Sequence, residues 1–387
     1  MRKTIFTIVV ALLGWSSVSA KTWKPEEVKN IIEKVNNAWQ KYHPANRDRA
    51  FWDPAVYHTG NMEAYFLFNE SKDEKDRKTA NRWRKYSKRW GERNFFSGAS
   101  EIDPAKWRYK NYGEGPQYVL FGDWQICFQT YIDLYNDALD RKSDNPKYIH
   151  RAKEVMSYEK RSSANDYWWW ADALYMVMPV MTKMYLLTGD EAYLDKMYEN
   201  WKYCNSIMYD EETGLYFRDG KYVYPKHKTE NGKKDFWARG DGWVMAAFAK
   251  VLKDIPKDYK HRQEIVQHYQ KLAAAIVACQ QEEGYWTRSL LDPEQAPGRE
   301  TSGTALNCYG LLWGINNGVL PKKYLPAAQK AWDYLATIAL QQNNTVGYVQ
   351  PIGEKAIPGQ VVNQESVTNF GTGAFLLAAC EFYRSLK

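Results

Sequence analysis

The sequence predicts an all-α fold in which two concentric rings of helices form an α/α toroid. Two apolar patterns indicate it: some helical segments are apolar along one face, and others on nearly all sides. A helix of the first kind packs one face against protein, whereas a helix of the second kind must be surrounded by protein. The two kinds alternate along the chain in about six pairs, so the apolar helices form the inner ring.

The outer ring is predicted from four amphipathic segments, of which the second is the clearest. There Tyr193, Met197 and Trp201 recur at helical spacing on one face. The predicted outer helices are Glu26 to Trp39, Asp190 to Met208, His261 to Cys279, and Ala327 to Leu340.

The inner ring is predicted from five mostly apolar segments that helix breakers delimit. Gly189 and Gly318 stand where helix C-caps are expected, and Pro256 and Pro321 follow other helix ends. The predicted inner helices are Cys127 to Leu139, Ala173 to Leu187, Trp243 to Leu252, Ala305 to Ile315, and Ala374 to Phe382.

One segment between the helices has a different pattern. Leu215 to Tyr224 is rich in aromatic residues and contains the turn dipeptide Asp219-Gly220, which predicts a small β-hairpin insertion over one face of the ring. No linker or low-complexity tract divides the chain. We therefore predict a single domain over residues 21–387.

The first twenty residues are predicted to be a secretory signal peptide. Arg2 and Lys3 precede an apolar stretch from Ile5 to Leu13, and Val18-Ser19-Ala20 provides a small-x-small cleavage site. We expect the mature chain to be exported, to the periplasm or beyond. No other stretch is apolar enough to cross a bilayer, so we expect no membrane insertion.

Composition narrows the classes of partner. The formal charge is +7, and the basic residues are interspersed with acidic ones, so we expect no nucleic-acid partner. Five cysteines without paired spacing predict neither a disulfide framework nor a metal site. The 29 tyrosines and 17 tryptophans can fill a core, but they also suit a protein that stacks on sugars.

Two aspartates are the candidate catalytic groups, because each stands beside tryptophan at the head of an apolar helix. They are Asp123, in Phe121-Gly122-Asp123-Trp124-Gln125, and Asp172, in Trp168-Trp169-Trp170-Ala171-Asp172. Desolvation there raises a carboxyl pKa toward values that serve a general acid. The alternative is that each aspartate only caps its helix.

Six polar or glycine-rich segments each come just before a predicted inner helix. If the inner helices are parallel, these segments meet at one mouth, where the positive ends of helix dipoles favour an anionic ligand. Alternatively, the glycines only allow tight helix entries. The segments are His58 to Asn61, Gly122 to Trp124, Ala171-Asp172, Arg239 to Trp243, Glu300 to Gly303, and Phe370 to Gly373.

The ordered motifs resemble glycoside hydrolase family 105, the unsaturated glucuronyl and rhamnogalacturonyl hydrolases related to family 88. The resemblance covers nearly the whole mature chain. The matching segments are Asp123 with Gln129-Thr130-Tyr131, then Trp168 to Leu174, Trp237 to Trp243, Glu300 to Gly303, Tyr348 to Gly353, and Gly371 to Leu377.

The resemblance implies an (α/α)6 barrel that removes a terminal 4,5-unsaturated uronic acid from lyase-generated oligosaccharides, without metal or organic cofactor. It makes Asp172 the acid/base and Asp123 its helper. It also makes Arg239 a grip for the uronate carboxylate, although a structural ion pair is the alternative for this arginine. His58 could contact substrate or be structural. Further candidate substrate-binding residues are Trp124, Trp169, Trp243, Gln129, Thr301 and Arg218.

The chain departs from the family pattern at two places near the expected sugar site. Asp241 stands where members often have asparagine, and Arg218-Asp219 stands where some have histidine. Two rival functions remain open at this point. A polysaccharide lyase would need a base that removes the C5 proton, which two aspartates do not supply. A non-catalytic glycan-binding protein would use the same tryptophans and would keep its function without the aspartates.

Overall fold

A computed structural model describes residues 21–387, and the predicted signal peptide lies outside these described residues. Thirteen α-helices account for most of this part of the chain, with short 3₁₀ and π turns between some of them. Their bounds are α1 Pro25–Tyr42, α2 Trp52–Asn69, α3 Glu74–Arg93, α4 Gly122–Gln125, α5 Cys127–Asp140, α6 His150–Arg161, α7 Asp172–Thr188, α8 Ala192–Met208, α9 Ala238–Asp254, α10 Arg262–Ala278, α11 Thr301–Asn316, α12 Leu325–Tyr334 and α13 Asn369–Ser385.

Six helices form a closed inner ring: α2, α5, α7, α9, α11 and α13. Each packs against the next, and α13 returns to pack against α2. Almost every side chain of α9 and α11 is buried, as their apolar sequences require. The prediction of an all-α double ring is confirmed, and the six helix pairs form the (α/α)6 barrel.

The outer helices are α1, α3, α6, α8, α10 and α12. Their amphipathic sequences explain the placement: in α1 the buried face carries Val28, Ile32, Val35 and Trp39, at spacings of three and four residues. The outer helices α1, α3, α8, α10 and α12 pack against α13, α2, α7, α9 and α11 respectively, so these five inner helices are covered on their outward side.

Glycines let the inner helices approach closely at the end where the ring opens. A Cβ atom on Gly60 would lie 2.3 Å from the carbonyl oxygen of Gly373, and one on Gly303 would lie 2.9 Å from the backbone of Ala238. These contacts join α2 to α13 and α11 to α9. The glycines in the sequence motifs therefore serve helix packing.

Two details of the sequence prediction are wrong. Residues 215–224 form no β-hairpin: among the described residues the segment makes only isolated bridges, Tyr216 with Tyr209 and Asp219 with Trp170. Its aromatic side chains are held by burial against the helices rather than by a partner strand. The segment at His58 does not enter a helix either, because α2 already begins at Trp52.

The other five motif segments do stand at the starts of α4, α7, α9, α11 and α13, and contacts between these starts place them at one end of the barrel. Parallel inner helices thus bring their N-termini to a common mouth. No helix within residues 21–387 is both long enough and apolar enough to cross a membrane.

Candidate active site

A cavity of about 260 Å³ opens at this mouth. Its wall combines the first residues of the inner helices with two loops, which bring carboxyl groups, aromatic rings and one guanidinium group together. The lining residues are Trp52, Tyr112, Asp123, Trp170, Asp172, Met176, Arg218, Ile352, Gly353 and Glu354.

Asp123 and Asp172 both line this cavity, and neither is the N-cap of its helix. The N-cap positions are occupied by Phe121 and Ala171, which make no side-chain capping bond. Asp172 Oδ2 is buried without a hydrogen-bond partner among the described residues. The structure therefore excludes simple N-capping as the reason for these aspartates, and leaves two carboxyl groups available to a ligand.

The surroundings of the two carboxyl groups perturb their pKa values unequally. Burial raises the pKa of Asp123 well above its usual value, and the negative charge of Asp172 raises it further. Burial also raises the pKa of Asp172, but the positive charges of Arg218 and Arg239 oppose that shift. The groups titrate as a pair, and Asp172 is the more readily ionised of the two.

Arg218 is the cationic side chain on the cavity wall. Its Nε lies 3.4 Å from Asp172 Oδ2. Its NH1 group lies 2.6 Å from Asp219 Oδ2 and 3.2 Å from Glu354 Oε2. Its guanidinium group thus connects the candidate acid to the rim of the cavity, where an incoming anion would compete with Glu354.

A wider groove of about 500 Å³ adjoins the cavity and shares Tyr112, Arg218 and Glu354 with it. Trp169 forms part of its wall, held by a 2.8 Å hydrogen bond from its Nε1 to the carbonyl of Tyr109. A flat aromatic wall beside a small acidic cavity suits a sugar chain whose end is enclosed. The remaining lining residues of the groove are Lys110, Asn111, Ile207, Asp219, Gly220 and Lys221.

Arg239 lies behind the cavity wall rather than on it. The side chain is fully buried, and its guanidinium carbon lies 4.5 Å from the ring centre of Trp237 and 4.9 Å from that of Phe370. NH1 donates to the carbonyl of Gln350 at 2.6 Å and NH2 to that of Pro351 at 2.8 Å. The sequence predicts that the guanidinium group of Arg239 binds a ligand carboxylate. In the structure this group hydrogen bonds to the backbone that leads into Ile352–Glu354.

The other sequence candidates are also placed away from the two cavities. His58 Nδ1 hydrogen bonds with Ser87 at 2.8 Å, and its ring stacks on Trp90. Gln129 Nε2 donates to the carbonyl of Tyr175, joining α5 to α7. These two polar side chains therefore act between helices rather than facing the mouth.

Thr301, Trp243 and Trp124 also contact other side chains of the protein rather than the cavities. Thr301 Oγ1 hydrogen bonds with the hydroxyl of Tyr334 at 2.9 Å. Trp243 is buried behind Trp52, and Trp124 packs on Phe51, so neither ring lines a cavity. Of the residues singled out from the sequence, Asp123, Asp172, Arg218 and Trp169 are the ones that reach the mouth.

Asp241, one of the two departures from the family pattern, supports the loop that carries Arg218. Its Oδ1 accepts a 2.8 Å hydrogen bond from the backbone N–H of Tyr216. The side chain is fully buried, and burial raises its pKa well above the usual value. A protonated carboxyl group at this position is isosteric with the amide of asparagine, which explains how the chain tolerates an acid here.

Sequence reasoning missed several lining residues, among them Met176, Trp52, Glu354 and Tyr112. Trp52 had a visible signal, because Trp52-Asp53 opens α2 with the same pairing of aspartate and tryptophan as Asp123-Trp124. Glu354 directly follows the motif that ends at Gly353. Tyr112 lies in an irregular loop, where no spacing rule predicts which side chain faces the mouth.

No group of three or more His, Cys, Asp or Glu side chains within residues 21–387 is arranged to hold a metal ion. The ligand-facing chemistry of the described site consists of three carboxyl groups, one guanidinium group and aromatic rings. This set can donate and accept a proton beside a bound anion.

Comparison with known proteins agrees with these features. An unsaturated 3S-rhamnoglycuronyl hydrolase of Formosa agariphila is 40% identical over 219 residues, which cover 55% of this chain and 57% of that protein. The chain thus spans about half the length of this curated relative.

Two solved structures match with TM-scores of 0.87. One, named Polysaccharide Lyase BACCELL_00875, is 58% identical, and the match covers 94% of this chain and 98% of that one. The other, a Glycosyl hydrolase family 88 protein from Bacteroides vulgatus, is 56% identical and covers 94% and 99%. The sequence model of Glycosyl Hydrolase Family 88 matches residues 23–386, so the resemblance drawn from the motifs is confirmed. The chain belongs to Glycosyl Hydrolase Family 88.

Proposed function

We propose that this chain is an unsaturated uronyl hydrolase, which removes a terminal 4,5-unsaturated uronic acid from oligosaccharides that a polysaccharide lyase has produced. The observation that carries the proposal is the cavity in which Asp123 and Asp172 stand with Arg218. The cavity has the size for one sugar ring, and the adjoining groove receives the next one. Membership of Family 88 and the name of the Formosa agariphila relative support it.

The proposed reaction is the hydration of an enol ether. The C4=C5 double bond of the substrate is attached to the ring oxygen, so a proton delivered to C4 leaves an oxocarbenium-like cation at C5. Asp172 delivers that proton and then accepts one from the water that adds at C5. The resulting hemiketal opens and releases the remaining sugar. Since no displacement occurs at the anomeric carbon, the spacing rule for paired carboxylates does not apply.

Binding of the substrate favours the protonated form of Asp172, which is the acid in the proposed reaction. Before substrate binds, Arg218 favours the ionised form of Asp172. When the guanidinium group pairs with the uronate carboxylate, its charge is compensated by the substrate, and Asp172 binds a proton more readily. Asp123, which loses its proton in exchange, then keeps Asp172 protonated by like-charge repulsion.

A lyase is the rival suggested by the name of one similar structure. The phenol that faces this cavity is Tyr112, and a lyase would need it as a base. Burial and the neighbouring Glu114 raise the pKa of Tyr112 above its usual value, so its phenolate is disfavoured. The two aspartates, and a phenol that stays protonated and so cannot serve as the base, therefore favour hydration over β-elimination.

One absorbance measurement tests the proposal against both rivals. Purified protein is mixed with unsaturated disaccharides made by lyases from pectin and from glycosaminoglycans, and separately with the intact polymers. We expect the ultraviolet absorbance of the conjugated double bond to fall with the disaccharides. A rise with the polymers would establish a lyase. Unchanged absorbance with every substrate, combined with binding that survives loss of both aspartates, would establish a binding protein.

A further inference from the structure

The positive charge of this protein is concentrated in one outer helix, contrary to the expectation that it is dispersed. α3 carries nine basic and three acidic residues, a net charge of +6 within a chain whose total is +7. Its buried face consists of Trp83, Tyr86 and Trp90 with smaller residues, and its exposed face is basic. The field of the protein is therefore directed outward from α3.

Part of this basic face borders a groove between α3 and α1. Arg82, Arg89 and Arg93 are separated by seven and four residues, so they follow one side of the helix over about 16 Å. They line two adjoining hollows of about 480 and 740 Å³. The opposite wall carries Asn37, Gln40, Lys41 and Asn46.

The groove arginines are not neutralised by the protein. No carboxylate oxygen within the described residues lies within 4.0 Å of Arg82, Arg89 or Arg93, and Glu92, the acidic residue of the groove, pairs with Lys88 at 3.3 Å. Arg82 donates to Asn37 Oδ1 at 3.0 Å, and Arg93 donates to the carbonyl of Asn46 at 3.3 Å. Both guanidinium groups are thus positioned while their charges remain available.

We propose that this α3 groove binds the chain of an acidic polysaccharide at a surface separate from the catalytic cavity. Guanidinium groups suit carboxylate or sulfate groups, and the amides of Asn37, Gln40 and Asn46 suit sugar hydroxyls. Binding needs no turnover, so it can be measured independently of the proposed function. The role that we assign to it, to hold the protein on the material whose fragments it processes, rests on the proposed function.

Two other classes of polyanion fit the groove less well. A helix that lies on a bilayer inserts its apolar face, but the apolar face of α3 is buried against α2. Phe95, 84% exposed just beyond α3, is a single ring and offers little insertion. Single-stranded nucleic acid needs exposed aromatic platforms, and Tyr86, the aromatic residue of the groove, is only 8% exposed.

The test compares variants on immobilised polygalacturonate over a series of salt concentrations. Replacing Arg82, Arg89 and Arg93 together by glutamine should weaken binding at low salt by about tenfold or more and flatten its salt dependence. A control removes three exposed lysines elsewhere, Lys257→Gln, Lys322→Gln and Lys330→Gln, and should change binding less than about twofold. The corresponding triple Arg→Lys variant should retain most of the binding. All variants should keep wild-type turnover of a disaccharide substrate, which also reports that they fold.

Three results would overturn the proposal. Equal loss in the groove variant and the lysine control would show that only net charge matters. Equal binding to neutral dextran would show that the groove does not recognise the anionic groups of the polysaccharide. Tighter binding to phosphatidylglycerol vesicles or to DNA would assign the groove to another partner, and a dependence on Phe95, measured with Phe95→Ser, would identify the membrane.

Discussion

Replacing Arg218 by glutamine tests the link between substrate binding and the proton on Asp172. The change removes a positive charge whose Nε lies 3.4 Å from Asp172 Oδ2, together with the donors that would pair with the uronate carboxylate. We expect two separate effects. The substrate should bind less tightly, and the alkaline limb of the pH–rate profile should move to higher pH.

The sizes of both effects follow from the geometry. A neighbouring arginine lowers an aspartate pKa by about 1–3 units, so its loss should raise the pKa of the acid by a similar amount. A hydrogen bond to a charged group contributes about 1.5–3 kcal/mol, so loss of the grip should reduce kcat/KM by about ten- to a hundredfold per bond. Asp172 would then stay protonated, and the enzyme active, at higher pH than in the wild type.

The assay follows the ultraviolet absorbance of an unsaturated disaccharide from pH 4 to 9, with the free acid and with its methyl ester. Glu354→Gln should change substrate affinity in the opposite direction, because Glu354 lies 3.2 Å from Arg218 and competes with the substrate carboxylate for it. It should lower KM for the acid and leave the ester unaffected. Lys257→Gln, which changes an exposed lysine that lines neither cavity, should have little effect.

Two results would refute this reasoning. An unchanged alkaline limb in Arg218→Gln would show that the guanidinium group does not control the proton on Asp172. An equal loss of kcat/KM on the acid and on the ester would show that Arg218 does not contact the carboxylate.

Three further predictions follow from the site. Asp172→Asn should reduce kcat by about 10²–10⁴-fold with little change in substrate binding, and retention of more than about a tenth of wild-type kcat would show that Asp172 is not the general acid. Asp123→Asn should shift the alkaline limb of the pH–rate profile to lower pH. Arg239→Lys should reduce kcat/KM equally on acid and ester, because it holds the Gln350–Pro351 backbone rather than the ligand; a loss confined to the acid would contradict this. Burial raises the pKa of Asp241 in the folded state, so this residue lowers the stability of the fold as the pH rises from about 4 through that pKa. The Tm of Asp241→Asn should therefore exceed that of the wild type by an amount that grows with pH. A Tm difference that stays constant with pH would show that Asp241 is not protonated in the folded state.

The ring architecture was readable from the sequence because helix periodicity and burial are local properties. The alternation of one-sided and all-round apolar helices reports which helices are covered by protein, and that distinction defines the two rings. The hairpin prediction at 215–224 is wrong because an aromatic-rich stretch with a turn dipeptide does not reveal whether a partner strand exists. Here the partners are isolated bridges to Trp170 and Tyr209.

The same distinction between local features and tertiary packing applies to the candidate site. Asp123 and Asp172 could be identified from the sequence because their position at the head of an apolar helix fixes both their burial and their location at the mouth. The choice between Arg218 and Arg239 could not be made, since both are arginines near a motif. Only packing shows that Trp237 and Phe370 enclose Arg239 and that the 209–224 loop presents Arg218 to the cavity.

The sequence by itself therefore determined the helical ring, the family and the position of Asp123 and Asp172 at the heads of helices, because periodicity and motifs depend on residues a few positions apart. Tertiary structure alone decided which cation faces the ligand, which glycines join helices, and that Tyr112 and Glu354 complete the wall. Those features depend on loops that meet from distant parts of the chain, and the direction of a loop side chain is set by what packs against it rather than by its neighbours in sequence.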